Sequence, residues 1–370
     1  MKNKICFIVT GLGMGGAERQ VCDLADELQS IGNNIMIISL TGDSIVKPKS
    51  EEVEIIELHM KKTPIGVIKS LILCRSILKK FNPDVIHSHM VHANLFARIL
   101  RLFCKIPLLI CTAHSTNEGG KWRMLAYKVT DFLADLTTNV SDAAVDAFVQ
   151  MGAVKPGKMI AIGNGLNIDK FVFSAKSREE KRNLLKLDRD DILYLAIGRL
   201  QPEKDYPNLL NAFSLVVEHE IKNNKKVKLA IIGSGYLEFE LKQLTTKLGL
   251  DNYVIFLGIQ YDVEKWLSAA DCFVLASEYE GFGLVVGEAL LVERPVVATD
   301  CGGVKEVLGE YGCLVPPKDF KAFAEGMLNI LKLPSDELIN ITKNGRKRII
   351  ENYSIRSVAK KWLDIYQINK

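Results

Sequence analysis

The sequence predicts an α/β protein built from two doubly wound parallel sheets. Short apolar strands alternate with segments of helical periodicity along the chain, which is the pattern of parallel βαβ units. A length of 370 residues exceeds what one hydrophobic core usually serves, so two domains are expected. The strands fall into two series, separated by a charged stretch from Lys176 to Asp191. Each series is long enough to form its own sheet.

Each predicted strand is a short apolar run followed by a turn or a polar segment. The first series comprises Ile5–Thr10, Ile35–Leu40, Val53–Leu58, Val85–His87, Leu108–Thr112, Leu136–Val140 and Met159–Ile162. The second series comprises Ile192–Ile197, Val227–Ile232, Val254–Leu257, Cys272–Ala276, Val296–Thr299 and Cys313–Val315.

Both series open in the same way, with an apolar strand, a glycine turn and a helix. The turn is Gly11–Gly16 in the first series and Gly198-Arg199 in the second. This is a duplication of architecture without visible repetition of sequence. We place the boundary between the domains near Asn164–Ser174, which predicts domains at 1–168 and 169–354.

Composition is ordinary for a water-soluble globular protein, with 48% apolar and 25% charged residues. Apolar runs are all too short to span a bilayer, and the N-terminal apolar run resembles a first strand rather than a signal peptide. We therefore expect a cytoplasmic protein, with peripheral binding to the inner face of the cell membrane left open. The eight cysteines include no Cys-x-x-Cys pair and are expected to be buried, reduced thiols.

Positive charge is concentrated in the first domain. Between Lys61 and Ala134 there are twelve Lys and Arg residues against three acids, a local balance of +9 in a chain whose net charge is +4. A basic face suits an anionic partner. Anionic membrane lipids, a pyrophosphate-linked acceptor and nucleic acid are all compatible with it, as is a solvated surface without a partner.

The first glycine turn matches Gly-x-Gly-x-x-Gly at Gly11, Gly13 and Gly16, a pattern that lets backbone approach a phosphate closely. A nicotinamide-binding domain also needs an acid at the end of the second strand. That strand ends at Leu40, and Asp43 lies beyond it. The interpretation as a nicotinamide-dependent oxidoreductase therefore rests on the glycines alone. A purely structural role of the glycine turn is the alternative.

Two carboxylates, Glu280 and Glu288, lie around the start of a helix that follows the strand ending at Ala276. Backbone N–H groups at a helix N-terminus suit a phosphate, and ionised carboxylates accept hydrogen bonds from sugar hydroxyls. A glycosidase pair is disfavoured, because eight helical residues rise about 12 Å whereas paired glycosidase carboxyl groups lie about 5–9.5 Å apart. The alternative is that Glu280 caps the helix and Glu288 is solvated.

The second glycine turn continues into Gly198-Arg199-Leu200-Gln201-Pro202-Glu203-Lys204. An arginine and a lysine five residues apart, just past a strand end, can converge on a pyrophosphate and neutralise charge on a departing diphosphate. The alternative is two solvated cations in a loop.

Three histidines, His87, His89 and His92, are close enough in sequence to suggest a metal site. No acid of suitable spacing completes such a site, and packing or contact with a ligand is the stronger interpretation. Ser141 precedes the helix predicted at 142–150 and is expected to be its N-cap.

Taken together, these motifs resemble the retaining glycosyltransferase family 4. The resemblance rests on Gly198-Arg199 with Lys204 and on Glu280 to Glu288 as Glu-x7-Glu. Further matching segments are Gly15-Gly16-Ala17-Glu18, Asn164-Gly165, Asp271-Cys272-Phe273-Val274, Arg294 to Asp300, Gly302-Gly303 and Glu306. The resemblance covers essentially the whole chain.

The resemblance implies the GT-B fold, in which two Rossmann-like domains face a cleft and the C-terminal helix, here 355–370, packs back onto the first domain. By motif position, Arg199 and Lys204 would hold the donor diphosphate, Glu280 the donor sugar and Glu288 the ribose. Further donor contacts would come from Gly15, Gly16, Phe282, Gly283 and Leu284.

His114 matches a family histidine whose backbone carbonyl steadies the anomeric carbon in the transition state. The resemblance gives it a catalytic role beside Arg199, Lys204 and Glu280, while the departing phosphate oxygen takes the proton of the acceptor. A histidine that merely packs at a strand end is the alternative. Neither a cofactor nor a metal is expected.

The implied function is transfer of a hexose or N-acetylhexosamine from a nucleoside-diphosphate sugar, with UDP as the expected carrier, to a saccharide acceptor. The expected acceptor is carried on a lipid, an anionic membrane surface is a possible partner, and nucleic acid is not expected. Three alternatives stay open: a nucleotide-sugar 2-epimerase of the same fold, a nicotinamide-dependent oxidoreductase, and a non-catalytic sugar-binding subunit.

Overall fold

The computed structural model describes residues 2–223 and 226–368, and the chain divides into two compact units. Unit 1 comprises Met1–Leu166 and Tyr353–Lys370, and unit 2 comprises Asn167–Asn352. The domain boundaries that we place at 168/169 and 354/355 each lie two residues beyond those of the structure. Positions 369 and 370 of the predicted C-terminal helix lie outside the described residues.

Unit 1 contains a parallel sheet whose described strands follow the order β3-β2-β1-β4-β5-β6-β7. These strands are β1 (Lys4–Val9), β2 (Asn34–Ser39), β3 (Glu54–Glu57), β4 (Val85–His89), β5 (Leu108–Thr112), β6 (Leu136–Asn139) and β7 (Met159–Ala161).

Unit 2 repeats this arrangement, with described strands in the order β10-β9-β8-β11-β12-β13, again all parallel. These strands are β8 (Ile192–Ile197), β9 (Val227–Ile232), β10 (Val254–Gly258), β11 (Cys272–Leu275), β12 (Val296–Thr299) and β13 (Cys313–Val315). In both sheets the order reverses beside the first strand, so both are doubly wound. The predicted fold class is confirmed, and every predicted strand is found.

Most strand ends fall within one residue of their predicted positions, but β4 runs two residues further, to His89. The polar residues 87–89 are fully buried in the sheet because each side chain has a partner. The Ser88 hydroxyl, for example, donates to the Asn94 side-chain oxygen at 2.7 Å. A hydrophobicity pattern does not show these hydrogen-bond partners, so the predicted strand ends at His87, two residues before the end of β4.

Helices connect most successive strands, whereas the described segment between β2 and β3 contains none. The helices of the first part of the chain are α1 (Gly16–Ser30), α2 (Pro64–Phe81), α3 (Val91–Arg101), α4 (Lys121–Thr130) and α5 (Asp142–Gln150), with a 3₁₀ turn at Asp131–Leu133. Next come α6 (Ala175–Leu184), α7 (Tyr206–Lys222), α8 (Glu238–Lys247), α9 (Val263–Ala269), α10 (Leu284–Leu291), α11 (Val304–Leu308), α12 (Phe320–Ile330) and α13 (Ser335–Tyr353), with a 3₁₀ turn at Pro202–Lys204. The last helix is α14 (Ile355–Ile368).

Helix starts follow local capping chemistry. The Ser141 side chain accepts from the Ala144 amide at 3.1 Å, so the predicted cap of α5 is confirmed. Thr63 caps α2 in the same way, and Pro64 occupies its first turn, where a missing N–H costs nothing. These caps fix the ends of helices that pack on the sheet.

The helix α14 lies in unit 1, although it follows unit 2 in sequence. Its apolar side chains join those of α1 and β1 in one hydrophobic core cluster, which includes Trp362 and Tyr366. The buried Tyr366 hydroxyl is 2.8 Å from Nδ1 of His87, whose other ring nitrogen is 2.7 Å from the Thr112 hydroxyl. A hydrogen-bonded chain therefore runs from α14 into the middle of the sheet.

A close backbone approach fixes the start of α14. Leu166 forms an isolated parallel bridge with Ser354, and the Ile355 amide donates to the Leu166 carbonyl at 2.9 Å. A Cβ at Gly165 would come within 2.9 Å of the Ile355 Cα atom. The Asn164-Gly165 segment therefore needs glycine for packing.

Among the described residues, none of the helices combines the length and the apolar character needed to cross a membrane. All eight cysteines are free thiols; Cys104 and Cys313 are half-buried and the others are buried.

Replacing Tyr366 by Phe tests the link between α14 and the sheet. The change removes the hydroxyl but keeps the ring, so buried Nδ1 of His87 loses its partner. We expect the free energy of unfolding to fall by about 1–3 kcal/mol, measured by urea denaturation. Tyr261→Phe, on an exposed tyrosine, is the control and should change stability by less than about 0.5 kcal/mol. Equal effects of the two changes would contradict this account.

Candidate functional site

The predicted residues of unit 2 lie at the point where the strand order of its sheet reverses. Strands β8 and β11 are neighbours, and their carboxyl ends lead into the segments 198–204 and 276–283. Parallel doubly wound sheets bind ligands at this position, because the loops after the two central strands diverge there and leave a crevice. Two segments that are far apart in sequence are thereby brought together.

The central contact between these segments is an ion pair. Nζ of Lys204 lies 2.5 Å from Oε1 of Glu280, and the two side chains are only 16% and 12% exposed. The Ser277 hydroxyl donates to the same carboxylate oxygen at 2.8 Å. A lysine ammonium has three donors, so Lys204 can keep this contact and still bind a second anion. The cation predicted for a diphosphate thus lies directly beside the carboxylate predicted for a sugar.

Backbone hydrogen bonds hold the two segments in register. The Glu203 carbonyl accepts from the amides of Glu278 and Tyr279 at 2.9 and 3.3 Å. Asp205, in the left-handed region at φ +43°, ends the 3₁₀ turn and caps α7 through its side chain. The backbone on both sides of Lys204 is therefore fixed, by the 3₁₀ turn and by the start of α7. This limits the positions that the Lys204 side chain can reach.

A third segment approaches the pair from the end of β12. Gly302 has φ +51°, and a Cβ there would lie only 1.7 Å from the Glu280 carbonyl oxygen. The Thr299 hydroxyl donates to the Ser277 carbonyl at 2.5 Å. These contacts support the loop that carries Glu280, and they give Gly302 a steric reason to be glycine.

The helix after this loop starts at Leu284, with Gly283 as N-cap at φ +86° and no side-chain capping bond. The alternative in which Glu280 caps the helix is therefore wrong, since its carboxylate binds Lys204 and Ser277 instead. The amides of Leu284 and Val285 precede the Val286 amide, which donates to the Gly283 carbonyl within the first turn. They lie at the positive end of the helix dipole, where an anion can bind. Phe282 precedes the cap, and its side chain is buried.

The remaining two predicted residues of unit 2 differ in their surroundings. Glu288 lies in the second turn of α10 and is half-buried. Arg199 is 65% exposed and pairs with Glu203 at 3.3 Å. Of the two predicted cations, the structure therefore holds Lys204 firmly beside Glu280 and leaves Arg199 extended into solvent.

The predicted residues of unit 1 lie at the equivalent edge of the first sheet. The glycine turn follows β1, His89 ends β4, and His114 follows β5. Gly15 is the N-cap of α1 and Gly16 its first residue, so both lie at a helix start. This edge is also where the strand order reverses.

A buried histidine and a half-buried histidine form a pair at this edge. Nδ1 of His89 lies 2.9 Å from Nε2 of His114, and burial lowers the pKa of His114 to about 4, so the pair is neutral at pH 7. Their outer nitrogens, Nε2 of His89 and Nδ1 of His114, are buried and have no hydrogen-bond partner in the described chain. In either tautomer one of these is an N–H, so the pair offers one donor and one acceptor to a ligand or a water molecule.

The metal interpretation of the histidine cluster is not supported. His87 bonds to Tyr366 and Thr112, His89 pairs with His114, and His92 is exposed on α3. In the described chain, the group with metal-compatible spacing is Asp43, Glu57 and His59, which contains none of the predicted residues and is open to solvent. Asp43 faces His59 at 3.8 Å, and its side chain is almost fully exposed.

Glu118 is a residue that the sequence patterns do not reveal. Its carboxylate accepts from the His114 amide at 3.4 Å, and burial raises its pKa to about 7, opposed by that amide and by Arg123. The residue lies in a glycine-rich loop with no motif around it, and only the fold brings it to the sheet edge. The contact of Ser277 with Glu280 is also not predictable from the sequence, because a serine three residues before a glutamate is a common pattern.

Gly302→Ala tests the steric support of the Glu280 loop. We expect the free energy of unfolding to fall by at least about 2 kcal/mol more than in Gly249→Ala, because overpacking adds to the backbone strain. Gly249 is a matched control, since it has φ +69° but no atom within 4 Å of the added Cβ. Urea denaturation measures both changes, and equal losses would show that the contact with Glu280 is unimportant.

Glu118→Gln tests the buried carboxyl group through the pH dependence of stability. Because the pKa of Glu118 rises from 4.5 to about 7 on folding, the native state holds a proton that the unfolded state has released. The wild-type protein should therefore lose stability as pH rises from 4.5 to 7, and the loss should level off above 7.

The Glu118→Gln variant lacks this loss. It should be more stable than the wild type at pH 8 by on the order of 1–3 kcal/mol and equally stable near pH 4.5, measured by urea denaturation. Glu325→Gln, on an exposed glutamate of α12, is the control and should follow the wild-type profile. A difference that does not change with pH would contradict the raised pKa.

Comparison with known proteins gives two family matches in tandem. The family model described as Glycosyltransferase Family 4 matches residues 14–170, and the model described as Glycosyl transferases group 1 matches residues 177–348. The two matches together cover most of both units.

Similar proteins include two bacterial transferases. The chain is 27% identical to UDP-Gal:alpha-D-GlcNAc-diphosphoundecaprenol alpha-1,3-galactosyltransferase of Escherichia coli, over 81% of this chain and 79% of the relative. It is 26% identical to N-acetylgalactosamine-N,N'-diacetylbacillosaminyl-diphospho-undecaprenol 4-alpha-N-acetylgalactosaminyltransferase of Campylobacter jejuni, over 93% and 94%.

Solved structures agree on the fold. HepE from Anabaena, in complex with UDP and glucose, matches with a TM-score of 0.84 over 99% of both chains, at 21% identity. Structural neighbours of this chain are GT-B glycosyltransferases, so its two parallel sheets form a GT-B fold. From the two family matches and this fold, the chain belongs to glycosyltransferase family 4 and is a glycosyltransferase of the GT-B fold.

Proposed function

We propose that this chain is a retaining, metal-independent hexosyltransferase. It moves a hexose or an N-acetylhexosamine from a UDP-linked donor to a saccharide acceptor carried on a lipid, in the synthesis of a cell-surface polysaccharide or glycolipid. No cofactor takes part, since the nucleotide sugar is a substrate.

The observation that carries this proposal is the ion pair between Lys204 and Glu280 at the edge of the second sheet. A nucleoside-diphosphate sugar presents a diphosphate next to a ring of hydroxyls, and this pair presents a cation next to a carboxylate. HepE binds UDP and glucose, and the relatives from Escherichia coli and Campylobacter jejuni are named as transferases. These likenesses support a UDP-sugar as the donor.

Within unit 2 we assign one part of the donor to each residue. Lys204 and Arg199 bind the diphosphate, Glu280 accepts hydrogen bonds from the sugar hydroxyls, and Glu288 accepts from the ribose. Arg199, exposed in this structure, folds onto the diphosphate as a planar fork when the donor binds. The amides of Phe282, Gly283 and Leu284 contact phosphate or sugar near the start of α10.

In unit 1 we propose that the backbone carbonyl of His114 stabilises positive charge at the anomeric carbon. A neutral imidazole suits this role, because a nearby imidazolium would oppose that charge; the low pKa of His114 supports it. Gly15 and Gly16, at the start of α1, allow the diphosphate and the acceptor to approach the backbone.

Transfer then breaks the bond between the anomeric carbon and the diphosphate oxygen and forms a bond to the acceptor oxygen on the same face of the sugar. The acceptor proton passes to the departing phosphate oxygen. Lys204 and Arg199 neutralise the charge that develops on this leaving group, which replaces the divalent ion of other transferases.

The acceptor class follows from the relatives and from charge. Both named relatives act on acceptors linked to diphosphoundecaprenol. The balance of +9 between Lys61 and Ala134 suits a diphosphate-linked lipid or anionic headgroups. We therefore propose that the protein works in the cytoplasm at the inner face of the membrane that carries its acceptor.

Lys204→Ala tests the role in leaving-group stabilisation. Loss of a positioned charge should reduce the rate of transfer by at least about a hundredfold. Removal of the lysine leaves the Glu280 carboxylate unpaired and should lower the thermal midpoint, so the rate is measured at a temperature at which the variant is still folded. Lys242→Ala is the control, because Lys242 also pairs with a glutamate, Glu238 at 2.6 Å, but on an exposed helix surface. Transfer at near wild-type rates by the Lys204→Ala variant would overturn the assignment.

The donor is tested by thermal unfolding in the presence of UDP-sugars and GDP-sugars. A UDP-sugar should raise the thermal midpoint, and Glu280→Gln should lose the dependence on the sugar while keeping the stabilisation by UDP alone. Absence of any shift with UDP or its sugars would contradict the proposed donor. Conversion of the UDP-sugar without an acceptor would instead identify an epimerase.

A further inference from the structure

We propose that α2, the end of α3 and α4 form a membrane-docking face on unit 1, which inserts apolar side chains into an anionic bilayer. The proposal rests on the proposed function, because a lipid-carried acceptor places the reaction at a membrane surface. It goes further in naming the surface and in making apolar insertion, rather than charge alone, the main attachment.

The first observation is a row of exposed apolar residues on each of two helices. On α2 the row is Ile65, Ile68 and Ile72, and on α4 it is Trp122, Leu125 and Val129. Both rows have the spacing i, i+3, i+7, which places their members on one side of a helix. Opposite sides of these helices are buried, through Cys74 and Leu78 on α2 and Met124 and Tyr127 on α4. Each helix therefore has an apolar inner side and a second, exposed apolar row.

The rows continue into neighbouring segments. Leu73 extends the row of α2, Phe132 follows α4, and Leu102 with Phe103 are exposed at the end of α3. Trp122 and Phe132 are 85% and 81% exposed, which is unusual for large aromatic side chains. The helix α3 contacts both α2 and α4, so the three segments belong to one side of unit 1. Exposed apolar groups clustered in this way indicate an interaction surface.

The second observation is the charge around these rows. Neither α2 nor α4 contains an acidic residue. The exposed cations of this face that form no ion pair with an acid in the described chain are Lys61, Lys62, Lys69, Arg75, Lys79, Lys80, Lys121 and Lys128, whereas Arg123 donates to the Glu118 carbonyl at 2.8 Å. These cations are available to lipid phosphates. Their long side chains can bind headgroups while apolar neighbours enter the boundary with the acyl chains.

The combination favours a bilayer over a protein partner. Protein interfaces are depleted in lysine, whereas lysines make up most of the cations on this face. Tryptophan and phenylalanine beside lysine and arginine are the residues of a membrane interface. We therefore assign this face to an anionic lipid surface.

The experiment is co-sedimentation of the full chain with vesicles of phosphatidylcholine, with and without about 30% phosphatidylglycerol to supply negative surface charge, at low and high salt. The test variant is Ile65→Gln, Ile68→Gln and Ile72→Gln combined with Trp122→Gln. The matched control is Tyr236→Gln with Phe239→Gln, which removes two strongly exposed aromatic residues from unit 2. A charge variant, Lys69→Gln with Lys79→Gln, separates adsorption from insertion.

We expect the wild type and the unit 2 control to bind anionic vesicles equally. The apolar variant should bind at least about tenfold more weakly at both salt concentrations, and the charge variant should be weakened mainly at low salt, where charge is least screened. All variants should keep the wild-type thermal midpoint, since only exposed side chains change. Binding of the apolar variant at wild-type level, or no binding of the wild type to anionic vesicles, would overturn the docking face.

Stabilisation by UDP, measured on the same preparations, separates this inference from the proposed function. Thermal stabilisation by UDP without vesicle binding would reject the docking face and leave the transferase in place. Vesicle binding that depends on the apolar rows, without any response to UDP, would retain the face and reject the donor site.

Discussion

The arrangement of both candidate sites depends on one constraint, the meeting of parallel strand ends at a single edge of each sheet. Because strand order reverses beside β1 and beside β8, the loops after two adjacent strands diverge there and leave room for a ligand. In unit 2 this constraint joins Lys204 to Glu280 across 76 positions of sequence. In unit 1 it joins His89 to His114. Neither pair is a local feature of the chain.

The two edges are chemically different. That of unit 2 is charged, with a largely buried ammonium and carboxylate in contact, and it suits a ligand with a phosphate beside hydroxyl groups. At the edge of unit 1, burial lowers the pKa of His114 to about 4, so this imidazole is neutral at pH 7, and burial raises the pKa of Glu118 to about 7.

The sequence pattern predicts the strands because burial on both faces makes most of them a nearly continuous apolar run. It stopped short at β4, where polar residues are buried through partners that no pattern contains. It identified Glu280 and Lys204 by motif but not their ion pair, and it left helix capping open for Glu280, which the structure assigns to Gly283. The raised pKa of Glu118 could not be predicted from the sequence, because it depends on burial in the folded protein. Sequence patterns do not show the hydrogen-bond and ion-pair partners that a side chain gains only in the tertiary fold.

The position of α14 has a consequence for the order in which the two units fold during synthesis. The core of unit 1 is completed by Trp362 and Tyr366, which leave the ribosome only after the whole of unit 2. The core of unit 1 is therefore complete only after unit 2 has been synthesised, although domains usually fold in order of synthesis. Unit 2 is continuous in sequence and can fold first. A chain truncated before Ile355 would leave the α1 side of the first sheet open, and such fragments would be natural targets for chaperones and proteases.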